Sequence, residues 1–194
     1  MMGNINMINY IISAIVGAII SILTSFCNKL IERHLDNKGK VAIYRKVVYI
    51  KNDGRSMGIY QDKNDYSFVV PLWIEVHNSK NASQIIRDFS VCIYSEGKMI
   101  AKMNQINYQK SELSDNLNYY GNKGSYSFLI PENSIERFDL LFVLKKSDCN
   151  HKFDEIKITY YNNKNELVVK KFKEIKSSWD PKEIDVDKDW VELK

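Results

Sequence analysis

The chain has 194 residues, of which 28 are Lys or Arg and 24 are Asp or Glu, and its net charge is +4. This length suits one membrane span plus a single domain and argues against a multidomain enzyme, while the basic residues are too dispersed to indicate nucleic-acid binding. The three cysteines are scattered and odd in number, so we expect no disulfide framework and a reducing compartment.

The first element is the stretch from Met7 to Cys27, which carries no charged residue and is long enough to cross a bilayer as a helix. At about 100° per residue, its side chains separate into an apolar face and a face of small and polar residues. The second face, called here the polar stripe, comprises Asn9, Ser13, Gly17, Ser21, Thr24 and Ser25. Small residues four apart let helix backbones approach, and hydroxyls and amides can bond across the contact. The pattern predicts a self-associating helix whose stripe packs dry in a bundle or lines a narrow water path; the alternative is an ordinary anchor.

The charges around this span predict its orientation. No Lys or Arg precedes it, whereas six basic residues follow it closely: Lys29, Arg33, Lys38, Lys40, Arg45 and Lys46. The positive-inside rule therefore predicts a single-pass protein of the cytoplasmic (inner) membrane, with its N-terminus outside and its C-terminal domain in the cytoplasm. Helical spacing continues to about Lys40, where Asn37 and Gly39 stop it. We expect three parts: the helix and its extension over 1–40, a cytoplasmic domain over 41–176 and an acidic tail over 177–194.

Beyond Gly39 the hydrophobic period changes from that of a helix to that of strands. Eight stretches rich in β-branched and aromatic residues alternate at period two: 41–51, 67–78, 85–94, 98–104, 125–130, 137–145, 155–161 and 166–173. Turn chemistry at 95–98 and 162–165 predicts two hairpins. The absence of a crossover helix in the pattern predicts a mainly β fold, an antiparallel immunoglobulin-like β-sandwich. We expect a long loop or a short helix over 105–124, and a tail that docks through Trp179 and Trp190 or is disordered.

Catalytic and metal-binding motifs are not found in the sequence, so we expect no enzyme activity, no catalytic residue, no cofactor and no metal. Cys149 and His151 lack further candidate ligands, and we expect them in an exposed polar loop. Arg87 alternates with apolar residues of its strand, which predicts a core-facing charge held in a structural ion pair.

One outward strand face combines aromatic and basic groups. Trp73 and His77 lie opposite the core-facing residues of their strand in the period-two alternation. If the last strand is adjacent, Lys170 and Lys171 complete a ligand site that could stack against and neutralise a nucleotide. The alternative is a solvated strand face that the Trp-containing tail covers.

The order of parts is one N-terminal span followed by a sandwich that contains PLWIEVHNSKNASQIIRDFSVCIY and, later, SYSFLIPENSIERFDLLFVL. In this arrangement the chain resembles small bacterial membrane proteins of anti-phage loci, such as the transmembrane effectors of Hailong-type defence. The resemblance implies an oligomeric membrane effector that a nucleotide signal controls at its cytoplasmic domain.

The sequence and this resemblance together predict a homo-oligomeric membrane effector whose helices form a pore or perturb the membrane. The expected partners are the lipid bilayer, further copies of the chain, and a nucleotide, oligonucleotide or protein that binds the sandwich. The alternative is a passive membrane anchor that holds an interaction module at the membrane.

Overall fold

The computed structural model describes residues 2–36, 38–51, 53–62, 64–106 and 126–194. Its one helix, α1 (Met2–Asp36), runs without a break through the predicted span and its amphipathic extension. The part from Tyr10 to Asp36 is long and apolar enough to span a membrane, and none of it is buried against the rest of the described chain. Arg33 and His34 lie in the last turn, where positive charge interacts favourably with the unpaired carbonyls of the helix end.

Twelve strands follow in the described residues. They are β1 (Val41–Val47), β2 (Met57–Asp62), β3 (Asp65–Asn78), β4 (Gln84–Ser95), β5 (Lys98–Lys102), β6 (Asn104–Gln105), β7 (Phe128–Ile130), β8 (Ser134–Lys145), β9 (Glu155–Tyr161), β10 (Leu167–Glu174), β11 (Lys182–Ile184) and β12 (Val191–Glu192). They form a larger sheet of seven strands and a smaller sheet of five, and each pairing is antiparallel. The predicted fold class, one N-terminal helix followed by an antiparallel β-sandwich, is confirmed.

The long strand β3 is the centre of the larger sheet. β8 pairs along one edge of β3, and the opposite edge is shared by β2, beside its first residues, and β1, beside its last. Pro71 lies where the neighbour changes from β2 to β1, a position at which a missing backbone N–H breaks no ladder. In the smaller sheet β9 lies between β4 and β10, while β5 and β7 share the other edge of β4.

The two sheets enclose the hydrophobic core. Alternate residues of the central strands point into it and are almost fully buried: Leu72, Ile74 and Val76 in β3, Val91 and Ile93 in β4, Leu140 and Phe142 in β8, and Ile156 and Ile158 in β9. Burying one such side chain contributes about 1.5–3 kcal/mol, so this layer supplies most of the driving force for the fold.

The expectation that Arg87 faces the core is wrong. β4 contains a bulge at Asp88, whose φ is 55°. The extra residue reverses the alternation, so that Ile86 faces the core before the bulge and Phe89 faces it afterwards. Arg87 is therefore exposed, and its guanidinium lies 4.8 Å from the centre of the Tyr161 ring. Arg87 therefore makes a cation–π contact and not the predicted ion pair.

The C-terminal segment, residues 177–194, docks on the edge of the larger sheet, which confirms one of the two predicted outcomes. The indole of Trp179 is buried against Phe153, with ring centres 5.5 Å apart, and its Nε1 donates to the carbonyl oxygen of His151 at 3.0 Å. Further along, Asp187 forms an ion pair with Arg45 and accepts the backbone N–H of Val47. The segment thereby closes one side of the sandwich.

Three strands lie outside the predicted stretches: β2, β11 and β12. The predicted stretch 98–104 divides into β5 and β6, so Gln105 belongs to a strand and not to the expected loop; residues 107–124 of that loop lie outside the described residues. β11 pairs with β2, where a Cβ at Gly58 would stand 2.6 Å from the carbonyl oxygen of Lys182. Glycine therefore permits the close approach of the two backbones. The hydroxyl of Ser56, which is almost fully buried, reinforces this contact by donating to the carboxylate of Glu183 at 2.9 Å.

A short connection joins α1 to β1. Gly39 has a φ of 111°, and a Cβ there would collide with the carbonyl oxygen of Ser79. The backbone of Lys40 donates to the Ser79 hydroxyl at 2.9 Å and accepts the Ser79 backbone N–H at 3.0 Å. The connection is thus fixed to the turn between β3 and β4.

Candidate functional site

The polar stripe lies along one side of α1 and is open to its surroundings. Ser13, Gly17, Ser21, Thr24 and Ser25 are all exposed, and apart from the backbone of the helix itself no described residue lies within 4 Å of a Cβ built at Gly17. Asn9 belongs to the helix as predicted, but its side chain is not among the described groups. The structure therefore brings five of the six predicted stripe residues onto one uncovered surface.

The hydroxyls of the stripe differ in their hydrogen bonding. Thr24 Oγ1 donates to the carbonyl oxygen of Ile20, one turn earlier, at 2.9 Å. Within the described residues the hydroxyls of Ser13, Ser21 and Ser25 form no hydrogen bond to the chain. In hydrocarbon an unsatisfied hydroxyl is costly, and each of these serines can be satisfied either by rotating onto the carbonyl one turn earlier, as Thr24 does, or by a group on a neighbouring helix.

The opposite side of α1 is a continuous apolar surface. Its residues are between 51% and 68% exposed: Ile11, Ile12, Ile15, Ile19, Ile22, Leu23 and Phe26. A patch of this size does not persist in water, because each large aliphatic side chain left exposed forgoes about 1.5–3 kcal/mol of burial free energy. A lipid environment removes that cost.

The second predicted site lies on the outer face of β3, and the C-terminal segment covers part of it. Trp73 stacks on Trp190 with ring centres 6.5 Å apart, and His77 lies against the ring of Tyr44 at 4.8 Å. Trp73 and His77 do point away from the core, as the alternation predicted. Because Trp190 occupies the exposed side of Trp73, the interpretation in which the tail covers this face is confirmed.

The carboxylate of Glu75 links two other side chains of this outer face. Glu75 accepts from Arg137 at 2.6 Å, and its other oxygen lies 2.7 Å from His77 Nε2. The hydrogen bond from His77, followed by that from Arg137, lowers the pKa of Glu75 below its ordinary value. The Arg137 guanidinium also lies 5.1 Å from the centre of the Trp190 ring. We call these groups, with Tyr44 and Trp73, the outer aromatic cluster; its paired charges and stacked rings are those of a structural contact.

Lys170 and Lys171 do not join the outer aromatic cluster. They belong to β10, an edge strand of the smaller sheet, whereas Trp73 and His77 are in the larger sheet. The two lysines also point to opposite faces, because they are consecutive in a strand. Lys171 is exposed and forms an ion pair with Glu174 at 2.7 Å. The condition on which the nucleotide site depended, adjacency of the last strand to β3, is not met.

A cavity of about 420 Å³ lies beside the C-terminal segment. Its floor is apolar, formed by Ile59, Phe68, Ile175 and Ile184. Its rim carries charges of both signs: Lys173, Lys176 and Lys182 against Glu174, Asp180, Glu183 and Asp185. This mixture of charges favours no single class of ionic ligand.

The described residues contain no group of three or more His, Cys, Asp or Glu side chains placed to hold a metal ion. The expectation of an exposed Cys149 is wrong, because its side chain is buried at the edge of the core, while His151 is exposed as predicted. Cys92 is also buried, and desolvation raises the pKa of its thiol above the ordinary value. A thiol in this environment is a weak nucleophile.

Sequence reasoning missed three members of the outer aromatic cluster: Tyr44, Glu75 and Arg137. The alternation does indicate that all three point outward from their strands. The meeting of Tyr44 and Arg137 with Trp73 and His77 depends on β1 and β8 flanking β3, and strand order is not readable from local pattern.

Comparison of the chain with protein-family models, with curated proteins and with solved structures found no match to any of them.

Proposed function

We propose that the protein is a homo-oligomeric membrane effector whose helices associate along the polar stripe and form a pore or a membrane-perturbing bundle under the control of the sandwich. One observation carries the proposal. A helix long enough to span a membrane collects serines and a glycine on one uncovered face, while the opposite face is wholly apolar.

The two faces of α1 suit different surroundings. The apolar face is suited to lipid, and the stripe is not, because lipid offers no hydrogen-bond partner to Ser13, Ser21 or Ser25. A second copy of the same helix offers both a partner hydroxyl and a close approach at Gly17, where the surface is open. Association through the stripe therefore gives these hydroxyls partners that lipid does not offer.

In a bundle the same stripe would surround the axis, where its hydroxyls can replace bulk water for a passing ion. The stripe contains no charged residue, so we expect a pore with little charge selectivity. An open pore would harm its own cell, and a signal that binds the sandwich must then have different affinities for the closed and open states. The anti-phage setting implied by the resemblance is one in which such a signal would be a nucleotide.

The proposal sets the sandwich in the cytoplasm, and the basic residues that follow the span support this orientation. Ser147 is exposed at the end of the sandwich away from the start of β1; of the native cysteines, Cys92 and Cys149 are buried and Cys27 is exposed on α1. A membrane-impermeant thiol reagent should therefore label a Ser147→Cys variant that also carries Cys27→Ser only after the cells are permeabilised. Efficient labelling of intact cells would reverse the orientation.

Potassium release tests the pore directly. The full chain, purified and reconstituted in liposomes or expressed in cells challenged with phage, should release potassium in one of these settings. Ser13→Leu and Ser21→Leu should reduce the release because large apolar groups dewet the path, whereas Ile15→Leu on the apolar face should not. If no variant and no condition gives release, the protein is not a pore.

The second candidate function is a passive anchor that holds the sandwich at the membrane. It is favoured by Thr24, whose hydroxyl is satisfied by its own helix and needs no partner chain. Replacement of residues 7–27 by an unrelated apolar span separates the two functions: an anchor would keep its activity in cells, and a stripe-dependent effector would lose it.

A further inference from the structure

We propose that the end of the sandwich nearest to α1 carries a binding site for the phosphate headgroup of an anionic phospholipid. The site is a hollow of about 360 Å³, called here the proximal hollow, with Lys40, Lys80 and Lys164 on its walls. The inference rests on the membrane anchoring of α1 in the proposed function. It does not depend on whether the helices form a pore.

The proximal hollow lies between the two sheets, where the start of β1 faces the turn between β9 and β10. The ammonium groups of Lys40, Lys80 and Lys164 form no ion pair within the described residues. One carboxylate, Glu166, also lines the hollow, and it accepts the side-chain amide of Asn162 at 2.9 Å. The lining therefore carries more positive than negative charge, which suits a phosphate monoanion.

The covalent chain fixes which end of the sandwich faces the membrane. α1 ends at Asp36 and β1 begins at Val41, five residues later. At about 3.3–3.6 Å per residue, this connection spans at most about 18 Å. Lys40 lies within the connection itself, so the proximal hollow cannot lie far from the membrane surface in which the helix is anchored.

Exposed apolar side chains lie at the same end of the sandwich as the proximal hollow. Ile85 lines it, and its cross-strand partner Leu129 is 67% exposed. Leu167, at the start of β10, and Ile135, near the start of β8, are also more than half exposed. These four residues lie at the same end of the sandwich, because β4, β8 and β10 all begin there and Leu129 pairs with Ile85 at the start of β4. Apolar groups among lysines are the pattern of a surface that enters the headgroup region of an anionic bilayer.

The same ammonium groups could bind a free phosphate, but two features favour the lipid. The exposed Ile85 and Leu129 have no role in binding a small hydrophilic anion, whereas acyl chains and glycerol can cover them. In addition, the short connection keeps the site at the bilayer, where the local concentration of headgroups is high.

The experiment measures lipid retained by the full chain in detergent, by native mass spectrometry, on titration with phosphatidylglycerol or phosphatidylcholine. The test variant combines Lys40→Gln, Lys80→Gln and Lys164→Gln. We expect at least about a tenfold loss of affinity for phosphatidylglycerol, because each lysine near an anionic surface contributes to binding, and no change for phosphatidylcholine. Glycerol 3-phosphate, added as the soluble competitor, should displace little phosphatidylglycerol.

A matched control carries the same charge change at the far end of the sandwich: Lys98→Gln, Lys152→Gln and Lys176→Gln, all exposed residues. It should bind phosphatidylglycerol like the original chain, and both triple variants should unfold at the original temperature. Equal phosphatidylglycerol binding by the two triple variants would overturn the proposal. Full displacement by glycerol 3-phosphate would also overturn it, since the site would then be one for soluble phosphates.

The outcome is separable from that of the proposed function. The lysine variant retains the polar stripe and should form the same crosslinked oligomer as the original chain. A stripe variant such as Gly17→Leu should conversely lose oligomer while it still binds phosphatidylglycerol at the proximal hollow.

Discussion

In α1, Ile15 and Ile19 are 54% and 51% exposed, whereas in the sandwich Ile74 and Ile156 are fully buried. The four side chains are chemically the same, so the difference lies in what surrounds them. The sandwich buries its apolar residues within the chain, by packing one sheet on the other. The apolar residues of the helix can be buried only by something outside the chain. Folding of the sandwich and placement of the helix therefore depend on different contacts.

The largest expected effect comes from a core substitution that should unfold the sandwich and leave the helix unchanged. Phe142 is fully buried, with its ring edge-to-face on Tyr126 at 5.3 Å. Phe142→Ala should lower the free energy of unfolding by about 3–5 kcal/mol. Near-ultraviolet circular dichroism of the full chain in detergent measures it. Ile15→Ala in the helix is the control; an equal loss in that variant would mean that the helix packs on the sandwich.

The next effect concerns the external partner of the helix. Gly17→Leu fills the open surface of the polar stripe and should weaken association about tenfold, because helix backbones can no longer approach. The yield of crosslinked oligomer in membranes, measured against protein density, reports the change. Ile15→Leu on the apolar face is the matched control. Equal losses from both faces would show that the stripe does not define the contact.

A smaller effect is expected at the contact between the sandwich and its C-terminal segment. Trp190→Ala removes the stack on Trp73 and the contact with Arg137, and should cost about 1–2 kcal/mol of unfolding free energy. Trp190→Phe keeps a ring in place and should cost less. Chemical denaturation followed by near-ultraviolet circular dichroism compares the variants. A Trp190→Ala chain as stable as the original would mean that the segment is held elsewhere, at Trp179 and Asp187.

The smallest effect is a change in acid sensitivity. The pKa of Glu75 is lowered in the folded chain, first by the hydrogen bond from His77 and then by that from Arg137, relative to its ordinary value of 4.5. Its contribution to stability is therefore complete above pH 4.5 and is lost as the pH falls through the lowered value. Glu75→Gln should remove this part of the acid destabilisation, so that unfolding free energy falls less steeply below pH 4.5. Glu132→Gln, at an exposed position outside the network, is the control and should keep the original slope.

Elements with a strong local pattern were predictable from the sequence. The uncharged run predicted the helix, and the period-two alternation predicted the buried strands, as in Leu72, Ile74 and Val76. The hairpin at 95–98 was predictable because Glu96 and Gly97 supply the two positive φ values that such a turn requires, 49° and 78°. In each case the physical cause acts over a few neighbouring residues.

The remaining features depend on residues that are far apart in the sequence, so the local pattern does not predict them. β11 and β12 have two or three residues each and exist because β2 and β1 offer open edges. The bulge at Asp88 reversed the side of Arg87 that alternation had predicted. The stripe residues were identifiable because helix geometry alone decides which of them share a face. The predicted grouping of Lys170 and Lys171 with Trp73 and His77 was wrong because it required a strand order that the sequence does not state.

The connection that begins after Asp36 has a mechanical consequence. Lys40 is hydrogen-bonded to Ser79, and Gly39 lies against the same residue, so these two connection residues move with the sandwich. In the sequence, a joint of only two residues, 37 and 38, separates Gly39 from the end of the helix. Because Lys40 is hydrogen-bonded to Ser79, a displacement of the turn between β3 and β4 displaces by the same amount the point from which the chain leads to the helix. Lengthening this joint with flexible residues would uncouple the two bodies without altering either one.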